Sequence, residues 1–180
     1  MKIAVLLAEG FEESEAVILI DIFRRASYEV TLFSITDKRE ITSSRNITII
    51  TDEILKNINI DNFDMLFLPG GMPGTKNLSE SEDVIKLIKE ASIKNKYIAA
   101  ICAAPSVLAK AGILKGKKAT AYPTWQDKLM DAIVENKRVV VDGKIITGRA
   151  FGSAIDMGLK IVELISGEKE KDKLKEAIVY

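Results

Sequence analysis

Tyr97-Ile98-Ala99-Ala100-Ile101-Cys102-Ala103-Ala104-Pro105 reads as a buried apolar strand that breaks sharply into a helix, with the chain's only cysteine at the break. Small Ala103 and Ala104 keep that turn tight, and Pro105 in the first helical turn needs no amide partner. A residue at the C-terminal end of a parallel strand lies where open α/β sheets place their ligands. It also faces a helix N-terminus, whose unpaired amides favour a thiolate. Without that context Cys102 would read as a small core hydrophobe; the strand-to-helix position makes it a candidate nucleophile. The chain holds no histidine, so Cys/His pairs, Ser/His pairs and histidine-ligated metal sites are excluded.

Working outward from this stretch, short β-branched runs alternate with longer segments of helical period. Strands are predicted over 2–7, 29–34, 65–68, 97–101 and 118–122, and helices over 12–27, 79–94 and 104–112. The helix from Ser79 is expected to open on a capping box, Ser79-Glu80-Ser81-Glu82. Asp142-Gly143, between runs 138–141 and 144–147, is a two-residue hairpin signal that adds an antiparallel piece to a parallel sheet. Segments 154–166 and 169–178 read as amphipathic helices. The pattern is that of an α/β fold.

With 180 residues and 47% apolar content, one well-buried core and a single domain over 1–180 are expected. Twenty-six basic and twenty-six acidic residues cancel, which gives no electrostatic reason to expect nucleic acid or an anionic membrane as partner. The apolar stretch at 3–8 is too short for a signal sequence, and no run approaches the roughly 18 apolar residues of a bilayer span. A cytoplasmic protein is expected, in keeping with one free thiol.

Glu15 is the candidate partner of Cys102. The helical row Glu15, Leu19, Ile22, Ala26 places its carboxylate on an otherwise apolar face, although an acid in a first helical turn is also ordinary. Burial raises a carboxyl pKa, and a protonated Glu15 that donates to a Cys102 thiolate would share one proton with it. Leu68-Pro69-Gly70-Gly71 runs from a strand into a paired-glycine turn. Its Gly71 amide, with that of Ala103, is placed to form an oxyanion hole, although such a turn also occurs for geometry alone. The turn lacks the context of a nucleotide-binding loop, so no nucleotide cofactor is expected.

Three motifs, Glu9-Gly10-Phe11-Glu12-Glu13-Ser14-Glu15, Leu68-Pro69-Gly70-Gly71 and Ala99-Ala100-Ile101-Cys102-Ala103-Ala104-Pro105, together resemble the ThiJ/PfpI superfamily. The likeness is to the branch of the Parkinson-disease protein deglycase and its bacterial homologues, and it spans nearly the whole chain. It implies a flavodoxin-like three-layer sandwich, usually a homodimer, with an acid-assisted cysteine at a nucleophile elbow. Members are described as cofactor-independent glyoxalases converting methylglyoxal to lactate, as deglycases of early glycation adducts, and as oxidation-sensing chaperones that oxidise the cysteine to sulfinate.

By this resemblance Cys102 is the nucleophile, Glu15 its protonated partner, and Gly71 and Ala103 the oxyanion donors. Glu12 and Phe151 fall at pocket positions, and Arg25 and Arg45 match arginines near a dimer interface, where one approaches the other subunit's site, so both are candidate pocket residues with Tyr122. The expected ligand is a small dicarbonyl or glycated substrate, with no metal or organic cofactor. Two departures matter. Tyr122 stands where many members carry histidine, and a tyrosine of reference pKa about 10 is a poor base at neutral pH. Ala103 stands where the superfamily's peptidases carry histidine, which disfavours a cysteine-peptidase reading.

Overall fold

The computed structural model describes residues 1–180. In chain order the elements are β1 Lys2–Leu7, α1 Glu13–Arg25, β2 Glu29–Ser34, β3 Glu40–Thr42, β4 Thr48–Ile50, β5 Glu53–Ile54, β6 Met65–Leu68, α2 Gly74–Glu80 and α3 Glu82–Ile93. There follow β7 Tyr97–Ile101, α4 Pro105–Lys110, β8 Lys118–Ala119, β9 Ile133–Val134, β10 Val139–Asp142, β11 Ile145–Gly148, α5 Ala154–Ser166 and α6 Glu168–Ala177.

A seven-stranded sheet runs in the order β10-β11-β7-β6-β1-β2-β5. All its pairs are parallel except β10 with β11, the hairpin turned by Asp142 and Gly143. Because side chains alternate across a strand, one face carries Ala4, Leu6, Leu66, Leu68, Ile98 and Ala100 against α3 and α4. The opposite face carries Ile3, Val5, Met65, Phe67, Ala99 and Ile101 against α1 and α5. Helices therefore cover both faces of a mostly parallel sheet, the flavodoxin-like arrangement. No helix is long and apolar enough to cross a membrane.

Several boundaries differ from expectation for identifiable reasons. The predicted helix over 79–94 is two helices: Ser79 lies in the last turn of α2, and Ser81 has extended backbone and caps α3 by accepting from the Val84 amide at 3.3 Å. A serine hydroxyl reaches an amide three positions on, so Ser81 caps a helix whose first turn holds Glu82 and Asp83. The strand expected over 118–122 shrinks to β8, which pairs with β9 in a separate two-stranded sheet. Its continuation is diverted because the Tyr122 amide bonds the Cys102 carbonyl at 2.8 Å. Helix α1 stops before Ser27, whose φ of 62° is left-handed, and α4 ends two residues before Gly112, whose φ is +80°. The hairpin β3–β4 carries no strong turn signal and was not expected.

Candidate active site

Four segments meet above the C-terminal ends of the parallel strands: the turn from β1 into α1, the turn after β6, the elbow after β7, and the loop from β11 into α5. Neighbours β1 and β6 leave the sheet centre in opposite directions, which opens a crevice there. An open cleft of about 360 Å³ occupies it, lined by Glu12, Glu13, Ser14, Glu15, Arg45, Cys102, Tyr122, Ala150 and Phe151.

Cys102 sits at the elbow with φ +64°. That left-handed backbone costs a non-glycine residue about 1–2 kcal/mol and turns the sulfur out of the sheet toward the cleft. The elbow is pinned on both sides, by the Cys102 amide donating to the Gly148 carbonyl at 2.9 Å and by its own carbonyl accepting from Tyr122. The backbone amides of Ala103 and Gly71 face the sulfur and favour its anion. With only six residues in α4, these two amides rather than a long helix dipole supply the local positive potential. Gly71 adopts φ +94°, and a Cβ there would come within 2.3 Å of the Glu12 amide nitrogen, so only glycine brings its own amide so close.

Glu15 enters from the first turn of α1 and is 1% exposed. Its Oε2 accepts from the Gly70 amide at 2.8 Å, while Oε1 is buried without a hydrogen-bond partner. Burial is the largest influence on the carboxyl and pushes it up to about 7; the Cys102 thiol and the Gly70 amide oppose this, and neighbouring Glu12 reinforces it. Burial also pushes the Cys102 thiol up, as does Glu15 when ionised. The depressed thiol expected from the sequence is opposed by burial; a proton kept on Glu15 removes the electrostatic part of the rise and leaves the Ala103 and Gly71 amides to work against desolvation. The pair loses a first proton near pH 7, and the location of the remaining proton decides whether the sulfur is a thiolate.

The rim gathers Glu12, Tyr122, Phe151 and Arg45, and Arg25 does not line it. Arg25 lies in the last turn of α1, thirteen-residue α1 carrying it away from Glu15, and pairs with Asp21 at 2.6 Å. Glu13, Ser14 and Ala150 are additions to the rim. Ser44 Oγ donates toward Glu12 at 3.2 Å and Glu13 at 3.4 Å, tying the turn between β3 and β4 to the mouth. No cluster of three or more cysteine, aspartate or glutamate side chains is placed to hold a metal ion.

The DJ-1/PfpI family model matches residues 1–164. The chain belongs to the DJ-1/PfpI family. Among DJ-1 relatives, protein dj-1beta of Drosophila melanogaster is 37% identical over 177 residues, covering 97% of this chain and 95% of its own. The Parkinson disease protein 7 homolog of Danio rerio is 36% identical over 179 residues, with the same coverage of 97% and 95%. The structure of oxidized Toxoplasma gondii DJ-1 superposes with a TM-score of 0.93 at 35% identity, over 99% of this chain and 98% of that one. Drosophila DJ-1beta gives a TM-score of 0.93 at 36% identity over 99% and 97%.

Proposed function

We propose that the protein is a cofactor-independent, cysteine-dependent glyoxalase or deglycase, acting as one catalytic domain in a reducing cytoplasm on methylglyoxal-type dicarbonyls or their early adducts. The observation that carries this reading is a buried, partly unpartnered carboxyl beside a strained elbow cysteine that faces two backbone amides. With the proton on Glu15, the Cys102 thiolate attacks the aldehyde carbon of methylglyoxal, forming a C–S bond and an oxyanion held by the Gly71 and Ala103 amides. Glu15 protonates that oxygen to give the hemithioacetal. The resulting carboxylate takes the C1 proton, leaving an enediolate, and returns it to C2, while the proton of the C1 hydroxyl passes to the C2 oxygen. The former aldehyde carbon is then oxidised to a thioester and the ketone carbon reduced to an alcohol, with no external oxidant. Water hydrolyses the thioester, releasing lactate and regenerating the thiol and the proton on Glu15. A carboxyl near 7 suits both directions of proton transfer at neutral pH.

The test is steady-state conversion of methylglyoxal to lactate by pure protein, with Cys102→Ser as the control for contaminating enzyme. Turnover that persists in Cys102→Ser, or its absence in the wild type, would refute the reading.

Assembly into a homodimer is part of the proposal. Val17 on α1 is 48% exposed, and Ile47 and Ile50 of the β3–β4 region are 51% and 65% exposed, apolar side chains that a partner protomer would cover. Sedimentation equilibrium at micromolar concentration is expected to give twice the 19.8 kDa chain mass. A single species at the chain mass would rule the dimer out.

A further inference from the structure

The aromatic side chains of the core are sealed away: Phe11, Phe23 and Phe67 are fully buried and Phe33 is 3% exposed. Two in the cleft are not. Phe151 is 59% exposed and Tyr122 43%, and both line the mouth. Neither ring packs against another aromatic ring.

Each of these residues is fixed by its backbone to one member of the reactive pair. The Tyr122 amide donates to the Cys102 carbonyl at 2.8 Å. The Phe151 amide faces the Glu15 carboxyl, close enough to lower its pKa although outside hydrogen-bonding geometry. The turn that carries Phe151 is itself held: Ser153 Oγ accepts from the Ala150 amide at 3.1 Å, and Arg138 donates to the Gly152 carbonyl and pairs with Asp156. Tyr122 likewise precedes Pro123, whose ring stiffens the chain as the following 3-10 turn begins. Two aromatic residues on anchored backbone thus line the same cleft as Cys102 and Glu15. Glu12, Glu13 and Arg45 make the rest of the rim polar.

We infer that Tyr122 and Phe151 form an apolar subsite for the substituent on the substrate's ketone carbon, so that the preferred substrates are α-oxoaldehydes bearing an aromatic group. This rests on the glyoxalase reading and names its substrate class. An aldehyde head between Cys102 and Glu15 leaves the ketone substituent as the part that projects into the mouth. A methyl group there covers little of either ring, whereas an aryl group buries area against both and gains offset or edge contacts. Such contacts are worth roughly three- to tenfold each. Because the backbone that carries each ring is held by hydrogen bonds, binding need order only the two side chains and not the turns that bear them.

The experiment is kcat/KM for phenylglyoxal and for methylglyoxal in the wild type, Phe151→Ala, Tyr122→Ala and Tyr122→Phe. The two substrates differ in intrinsic reactivity, so the readout is the change in their ratio between proteins, in which that difference cancels. The ratio of phenylglyoxal to methylglyoxal is expected to fall about fivefold or more in each alanine variant, and to stay within about twofold of wild type in Tyr122→Phe, since the ring and not the hydroxyl makes the contact. Two independent exposed positions keep the test valid if one variant folds poorly. Turnover of both substrates with a ratio unmoved in both alanine variants overturns this inference alone. Turnover of neither substrate by the wild type overturns the glyoxalase reading and this inference with it.

Discussion

Glu15→Gln is expected to lower kcat/KM for methylglyoxal about a thousandfold while making the protein more stable above pH 7. The substitution keeps the shape of a protonated carboxyl but cannot shuttle a proton between adjacent carbons, and a positioned acid–base is worth about 10² to 10⁴ in rate. The stability effect follows from proton linkage. The folded carboxyl titrates near 7 against a reference of 4.5, so between these values the native state binds more protons than the unfolded chain. Native stability is therefore highest below about pH 4.5 as far as this group is concerned. It falls as pH rises toward 7 and stays lower beyond, by about 3 kcal/mol for a shift of this size. Glutamine removes that loss. Denaturant unfolding of both proteins at pH 5 and pH 8 checks it: the gap in stability should open only at the higher pH, and a gap of equal size at both would contradict the buried-acid account.

Gly70→Ala is the second large effect. A Cβ at that position would stand 2.7 Å from the Cys102 Cβ, 2.8 Å from Glu15 Oε2 and 3.0 Å from the Ile101 carbonyl oxygen. The Cys102 Cβ and the Ile101 carbonyl cannot swing aside, and Glu15 Oε2 is held by the Gly70 amide itself, so the turn after β6 or the elbow must move. Overpacking of this kind costs about 1–3 kcal/mol, and a displacement near 1 Å at the reacting atoms costs about a hundredfold in rate. The expected result is kcat/KM reduced a hundredfold or more in a protein that still folds, because the residue touches the site and little of the two cores. Near-normal turnover by Gly70→Ala would mean that Glu15 and Cys102 are not brought together through this turn.

How far the sequence discloses these features depends on the range of the interaction responsible. Cys102 and Glu15 are legible because each breaks a local pattern, a cysteine at the end of an apolar strand and an acid within an apolar helical row. Asp142-Gly143 is legible because two residues suffice to specify a tight hairpin. The short strands β3, β4 and β5 are not, since their pairing is set by tertiary context rather than by periodicity. Arg45 and Ala150 join the cleft only because loops thirty or more residues from Glu15 fold back over it, as the contacts of neighbouring Ser44 with Glu12 and Glu13 show. Arg25 illustrates the converse: a helical position can be assigned from sequence, yet α1 carries that side chain toward Asp21 and away from the cleft. The misplaced cap at Ser79 has a similar cause, because two serines two residues apart offer the same local chemistry and only the fold selects Ser81.

The central claim is that Glu15 and Cys102 share one proton and that, at neutral pH, it resides on the carboxyl. Ultraviolet thiolate absorbance of the wild type against pH, with Cys102→Ser as the blank, tests it most directly. If Glu15 keeps the proton, the first proton lost from the pair comes from sulfur, and the thiolate signal rises below the free-cysteine value of about 8.5. If the carboxyl ionises first, burial and the adjacent negative charge hold the thiol protonated. No thiolate signal would then appear until well above the free-cysteine value of about 8.5, and that result would contradict the account.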